Sequence, residues 1–156
     1  MPWKRTENFD PDLPAKFKLL PDGVLITNAA GQILWFNAAF ASMCGYTLEE
    51  VAGKKPGSFL QGEKTDPALV QNMRMAIAHG MPCSVEIANY HKDGHEYMVH
   101  ITFTPVRKRN GEVQYFAAIE REFTQQQIEK LGRHHLEVVL RDQLSDLIKE
   151  LQREGD

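Results

Sequence analysis

CSVEIANYHKDGHEYMVHITFTPVRKRNGEVQYFAAIEREFT, residues Cys83 to Thr124, decides the fold. Val85 and Ile87 alternate with polar neighbours, as do Ile101 and Phe103, which is the period of a half-buried strand. The stretch is cut twice, at Lys92-Asp93-Gly94 and at Arg109-Asn110-Gly111. Asp-Gly and Asn-Gly supply the residues that tolerate positive φ, which tight hairpins require. Three consecutive antiparallel strands follow from that punctuation.

Upstream, DGVLITNAAGQILWFN gives two more short apolar runs around Asn28-Ala29-Ala30-Gly31, a further hairpin signal. AAFASMCGYTLEEVAG then changes to helical spacing, with Phe40, Met43 and Val51 as inward residues. Thr47 caps a short helix, and Glu50 three positions later completes a capping box. TDPALVQNMRMAIAHG reads as the clearest helix. Thr65 or Asp66 caps it, Pro67 sits in its first turn, Leu69, Met73 and Ile77 form its stripe, and Gly80 ends it. Between these helices, GKKPGSFLQGEKTDP (Gly53 to Pro67) has the glycines and prolines of a loop shaped around a ligand, yet no cysteine or histidine.

From Gln125 to Arg153 the pattern is helical again. Leu136, Leu140, Leu144, Leu147 and Leu151 recur at spacings of three and four, and Val139 and Ile148 widen the stripe. One continuous helix is expected, with Gly132 as its weak point or hinge. A sheet of five strands would cover only part of such a helix, so the leucines are expected to pair in a coiled coil with a second copy. The alternative is that the helix folds back on its own sheet. The fold class is α+β, in three parts: a leader over 1–19, a domain over 20–124 and a signalling helix over 125–156.

Composition excludes several functions. The chain has 156 residues, 42% hydrophobic and 25% charged, with a formal net charge of −3. That balance offers no general attraction to nucleic acid or an anionic membrane. No apolar run reaches the roughly 20 residues of a membrane span. Cys44 and Cys83 are isolated and fit a reducing, cytoplasmic setting. No GxSxG, Walker loop or dinucleotide fingerprint is present, and no catalytic residue is assigned; the chain is read as a non-enzyme. LRDQLSDLIKE resembles the entry segment of diguanylate cyclase domains and RHHLEVVL a kinase phospho-acceptor helix, but neither is followed by a catalytic motif, and plain coiled coil is preferred.

DGVLITNAAGQILWFNAAF, CGYTLEEVAGK, FLQGEKTDP, NYHKDGHEYM, ITFTPVRKRNGEV and the closing AIEREFT, in this order and spacing, resemble a PAS domain over Leu20 to Thr124. FLQG, TDP and NY-KDG resemble most the flavin-binding branch that includes LOV photoreceptor domains. The resemblance implies a five-stranded antiparallel sheet in the order 2-1-5-4-3, with helices on one face and a ligand pocket between them. It also implies flavin contacts at Gln61, Arg74 and Asn89, with Glu120 standing where the branch has glutamine.

The departures matter as much. The branch carries Asn-Cys-Arg before FLQ, and its cysteine bonds to the flavin under light. Here Pro56, Gly57 and Ser58 precede FLQ, so neither the thiol nor the phosphate-binding arginine is present, and Val99 replaces an expected amide. Loss of a phosphate partner makes FAD as plausible an occupant as FMN. Each assigned residue has a plain structural reading beside it: Gln61 as a loop cap, Arg74 as a solvated charge, Asn89 as a strand end, Glu120 facing water.

Some PAS domains hold haem through a histidine of the long helix, and His79 is the nearest candidate, though its place beside Gly80 argues for the surface. No histidine or cysteine group is read as a metal site, His91 and His95 being placed simply on either side of a tight turn. The resulting expectation is a cytoplasmic sensory module, binding FAD or FMN without a cysteinyl adduct. It would signal through a homodimeric C-terminal helix to a downstream effector, without nucleic acid or membrane. The alternatives are a ligand-free PAS dimerisation or interaction domain, and a haem-binding gas sensor.

Overall fold

All three hairpin glycines adopt positive φ, at +85° for Gly31, +99° for Gly94 and +91° for Gly111. The computed structural model describes residue 9 and residues 13–155; the remainder of the expected leader and Asp156 lie outside the described residues. The turns join strands β1 (Gly23–Asn28) to β2 (Ile33–Phe36), β3 (Cys83–Tyr90) to β4 (Glu96–Arg107), and β4 to β5 (Val113–Phe123). All pair antiparallel, in the order β2-β1-β5-β4-β3. The order expected from the resemblance is the order found.

Facing across the sheet follows from register, because directly opposed residues project to the same side. Leu25 pairs with Ala118, Ala118 with Phe103, and Phe103 with Cys83, and all four lie in or against one apolar layer. Val24, Ile26, Ala117 and Ile119 project to the other side and build a second layer.

The first layer is covered by helices α2 (Ala38–Cys44), α3 (Leu48–Val51), α4 (Gly57–Leu60) and α5 (Pro67–Ala78). Their ends follow local chemistry. The Asn37 Oδ1 accepts from the Phe40 amide at 3.0 Å and from the Val24 amide at 2.9 Å, capping α2 while tying it to β1. Thr47 and Glu50 form the expected capping box on α3. Asp66 caps α5 through the Ala68 amide, and Pro67 opens that helix. Phe40 and Val51 are fully buried, while Met43, Leu69, Met73 and Ile77 pack half-buried against the core.

The tail departs from expectation in two ways. It is not one helix: α6 (Gln125–Leu131) and α7 (Arg133–Gly155) are divided at Gly132, whose φ is +85°. A glycine in that conformation ends a helix. The leucine stripe is also not free for a coiled coil. Leu140, Leu144, Leu147 and Leu151 are buried on the second face of the sheet, against Val24, Ile26, Val106, Ala117, Ile119 and Phe123. The sheet's apolar outer face is wide enough to take the stripe, so these four leucines pack within the chain, the alternative the sequence also offers. The Leu136 side chain lies outside what is described. The short helix α1 (Ala15–Lys18) joins the same layer through Phe17, with Leu13 beside it and Phe9 edge-on to Tyr115 at 5.3 Å. Part of the expected leader is thus outer-layer core.

Candidate functional site

The loop from Gly53 to Pro67 is held down along its length. Gly53, at φ +82°, donates to Ile33 O, while the Ile33 amide donates to Lys54 O, pinning the loop's start to β2. Farther on, Thr65 Oγ1 accepts from the Gly62 amide at 3.0 Å and donates to Ala88 O at 2.7 Å. The Lys64 amide donates to the Tyr90 hydroxyl at 2.9 Å. Gly62 lies flat on the Tyr90 ring, leaving no room for a side chain. The segment therefore drapes over β3, pinned at both ends, which is what a wall over the interior needs.

Beneath that wall the interior is apolar with a few polar groups. Asn89 is buried and directly opposed to Tyr97 across the β3–β4 pair, so the two side chains project to the same side. Burial raises the Tyr97 phenol far above its ordinary value, and the carboxylate of Glu120 adds to the shift. Glu120 pairs with Gly23 on one side and Ile101 on the other, so it faces the helical layer, while Ile119 faces α7. Only 3% of Glu120 is exposed, and its Oε1 has no hydrogen-bond partner. Desolvation pushes its carboxyl up to about 8 from its ordinary 4.5. The thiol of Cys44, also within reach of that charge, is raised mainly by burial and is unreactive on that account.

The other two candidates sit differently. Arg74 is exposed on α5. Gln61 is half-buried, and its amide lies over Gly57, where an added Cβ would come within 2.6 Å of Nε2. Of the four candidate residues, register therefore turns Asn89 and Glu120 into the helical-side core, while Arg74 points to solvent. His79 is exposed at the end of α5, with Nδ1 2.9 Å from Met75 O.

A further polar group was not anticipated and lies on the opposite face. Arg121, next to Glu120 in β5, makes two 2.6 Å hydrogen bonds to the carboxylate of Asp22. Gln143 of α7 donates to the same carboxylate at 3.0 Å. His100, opposite Arg121 in β4, is 2% exposed and lies 3.6 Å from Glu86. Strand parity places Arg121 opposite Glu120 in facing, but only the docking of α7 brings Gln143 to Asp22. A groove of about 490 Å³ runs along this side between α7 and β3–β4, bounded by Cys83, Thr102, Phe103, Arg141, Leu144 and Ile148. No helix among the described residues is long and apolar enough to cross a membrane.

A five-stranded antiparallel sheet with four helices walling one face, and a draped loop with buried polar side chains beneath it, is the arrangement that the PAS resemblance implies. The model of the PAS domain matches residues 21–125, and the chain belongs to the PAS domain family. It is 37% identical over 112 residues to the blue-light-activated histidine kinase of Brucella canis and, in another species, of Brucella abortus. Those matches cover 70% of this chain and 22% of each relative, so the chain corresponds to about a fifth of the relatives' length. Among solved structures, the LOV domain of the Erythrobacter litoralis EL346 blue-light activated histidine kinase superposes with a TM-score of 0.63 at 30% identity, over 68% of this chain and 99% of that one. The light state of the Aureochrome1 LOV domain gives 0.65 at 24% identity, over 79% and 98%, a likeness of fold.

Proposed function

We propose that this chain is the sensory module of a longer signalling protein, binding a flavin between the sheet and α2–α5 and reporting its state through β5 to the C-terminal helix. The observation that carries the reading is Glu120: a buried carboxyl with an unpartnered oxygen, aimed into an apolar interior that also holds a buried amide. An unpaired buried polar atom is costly to the fold, and a ligand with a polar edge would satisfy it. The interior suits an apolar ring with one hydrogen-bonding rim. Half-buried Met43 and Met73 are deformable enough to move aside for it.

In this reading Asn89 supplies a donor and an acceptor to the rim, and Glu120 supplies the proton. A flavin, when bound, contributes a redox-active ring whose edge exchanges donors for acceptors on reduction. Glu120, held near neutral pH between its two forms, can donate as the acid or accept as the carboxylate. Its change in hydrogen bonding acts on β5, and the adjacent Arg121 carries it across the strand to Asp22. Asp22 holds Gln143, so the output is the seating of α7. With no cysteine between Gly53 and Pro67, no thiol stands on the loop to form a light-driven adduct. Arg74, exposed, would serve only an occupant whose tail reaches the surface, which favours neither FMN nor FAD. A homodimer and a downstream effector complete the proposal.

The test is a spectrum. Purified protein that is yellow and releases FMN or FAD on denaturation supports the reading; a preparation that stays colourless after incubation with both flavins sinks it. A haem Soret band would replace the flavin with the gas-sensor alternative. The second reading, a ligand-free interaction domain, has one observation in its favour: Phe40, Cys44, Val51, Ile87 and Val99 already close the interior to water.

A further inference from the structure

The tip of the β3–β4 hairpin gathers two imidazoles and a carboxylate, and we infer that it is a binding site for a divalent transition-metal ion, with His91, Asp93 and His95 as its ligands. This is independent of the flavin reading, since all three side chains stand on the hairpin turn and none is in the interior. His91 and His95 are directly opposed across the turn: the His91 amide donates to His95 O at 2.9 Å. Opposed residues of an antiparallel pair project to the same side, and the two rings stack with centroids 4.6 Å apart. Asp93 at the tip turns one oxygen to both, 3.2 Å from His91 Nδ1 and 2.6 Å from His95 Nδ1. One ligand atom from each residue lies within 4.8 Å of the others.

Two features mark the cluster as more than three exposed side chains. The His91 ring rests on Gly45 at the end of α2, where any Cβ would overlap it, and the Lys92 amide donates to Cys44 O at 2.9 Å. The hairpin tip is thereby fastened to α2, and His91 is only 23% exposed in its side chain. The second feature is a conflict of hydrogen-bond roles. His91 Nδ1 lies 3.1 Å from the Asp93 amide, where it accepts, and 3.2 Å from the Asp93 carboxylate, to which it can only donate. One nitrogen cannot do both. A cation between Nδ1 and the carboxylate takes the single Nδ1 lone pair in place of the Asp93 amide and turns the close nitrogen–oxygen approach into shared ligation.

The donor set selects the ion. Two imidazoles and one carboxylate suit zinc, copper or nickel, and not the hard calcium or magnesium ions that take oxygen cages. For bonds of about 2.0–2.2 Å the ligand atoms must stand about 3.4 Å apart. The carboxylate oxygen stands closer than that to both rings, at 3.2 and 2.6 Å, and the exposed His95 and Asp93 side chains open to it by small rotations. Lys92, whose charge would repel a cation, is turned away to Glu50, with which it is ion-paired. Three protein ligands on one side of the ion leave water in the remaining positions.

The experiment uses the untagged full chain. Zinc chloride is titrated by calorimetry at neutral pH, and copper(II) is added as a paramagnetic probe of nitrogen ligation. One ion per chain is expected, with imidazole nitrogens coupled to the copper. Removing a mere supporting partner of a metal ligand weakens binding by about 10–100-fold, so His91→Ala, His95→Ala and Asp93→Asn should each weaken it by at least that. His134→Ala/His135→Ala, on the adjacent pair of exposed tail histidines, should leave the isotherm unchanged. No saturable binding, or binding abolished by the tail variant and retained in the hairpin variants, overturns the assignment. Circular dichroism of each variant establishes that the hairpin change has not unfolded the domain.

Discussion

Glu120 shows how one residue divides what a sequence states from what a fold decides. In AAIEREF, Ile119 and Glu120 must face opposite ways, but apolar residues flank both and parity alone does not say which is inward. Register settles it: Gly23 and Ile101 oppose Glu120. Because its folded pKa is raised from 4.5 to about 8, the native state holds this proton where the unfolded chain has lost it. Stability therefore falls as pH rises through that window, by at most about 1.4 kcal/mol per pH unit. Glu120→Gln, neutral throughout, should be more stable than the parent at pH 8 and should flatten the slope of denaturant midpoints between pH 5 and 8. Parallel slopes would mean that Glu120 is solvated. Asn89 was legible as a site candidate, whereas Tyr97 was not, because nothing in HEYMV signals that register sets it opposite Asn89. Asn89→Leu, which removes a buried amide opposite the Tyr97 side chain, should cost about 1–3 kcal/mol, and Tyr97→Phe in the same background should restore part of the loss in urea unfolding.

At the scale of elements, the strands and their turns were readable because Asp-Gly and Asn-Gly impose geometry whatever surrounds them. The tail was not, because an amphipathic stripe states only that something apolar covers it. Leu140, Leu144, Leu147 and Leu151 have the spacing of a coiled coil and also of a helix on a sheet, and the identity of the cover lies in other elements, from Phe123 at the end of β5 back to Val24 in β1. The sequence alone makes Gly132 a weak point inside one helix; its positive φ makes it a boundary between two. Leu147, fully buried, is the sharpest probe of the docked arrangement. Leu147→Ala should lose about 2–5 kcal/mol from transfer and the cavity left behind. Val138→Ala, on the same helix but 41% exposed, should stay within about 0.5 kcal/mol. Equal small effects at both positions would mean that α7 does not rest on the sheet in solution.

For the whole molecule, the docked tail reverses an expectation about association. If the leucines paired between copies, removing residues 125–156 would abolish a dimer. In this fold the same removal strips the cover from Val24, Ile26, Val106, Ala117, Ile119 and Phe123, a continuous apolar face on a sheet. Exposed apolar surface of that kind drives association, so the truncated chain should be more associated than the full one. The relay proposed above has the same geometry, since an input that releases Gln143 from Asp22 frees α7 and opens this face to a second copy. Light scattering on the full chain and on a chain ending at Thr124 separates the two arrangements. A truncated chain that is more strongly dimeric or aggregating, and that becomes monomeric when Ile119→Lys is added, supports a sheet covered from within. A full chain that is dimeric and a truncated one that is cleanly monomeric would return the leucines to the coiled coil and remove α7 from the sheet.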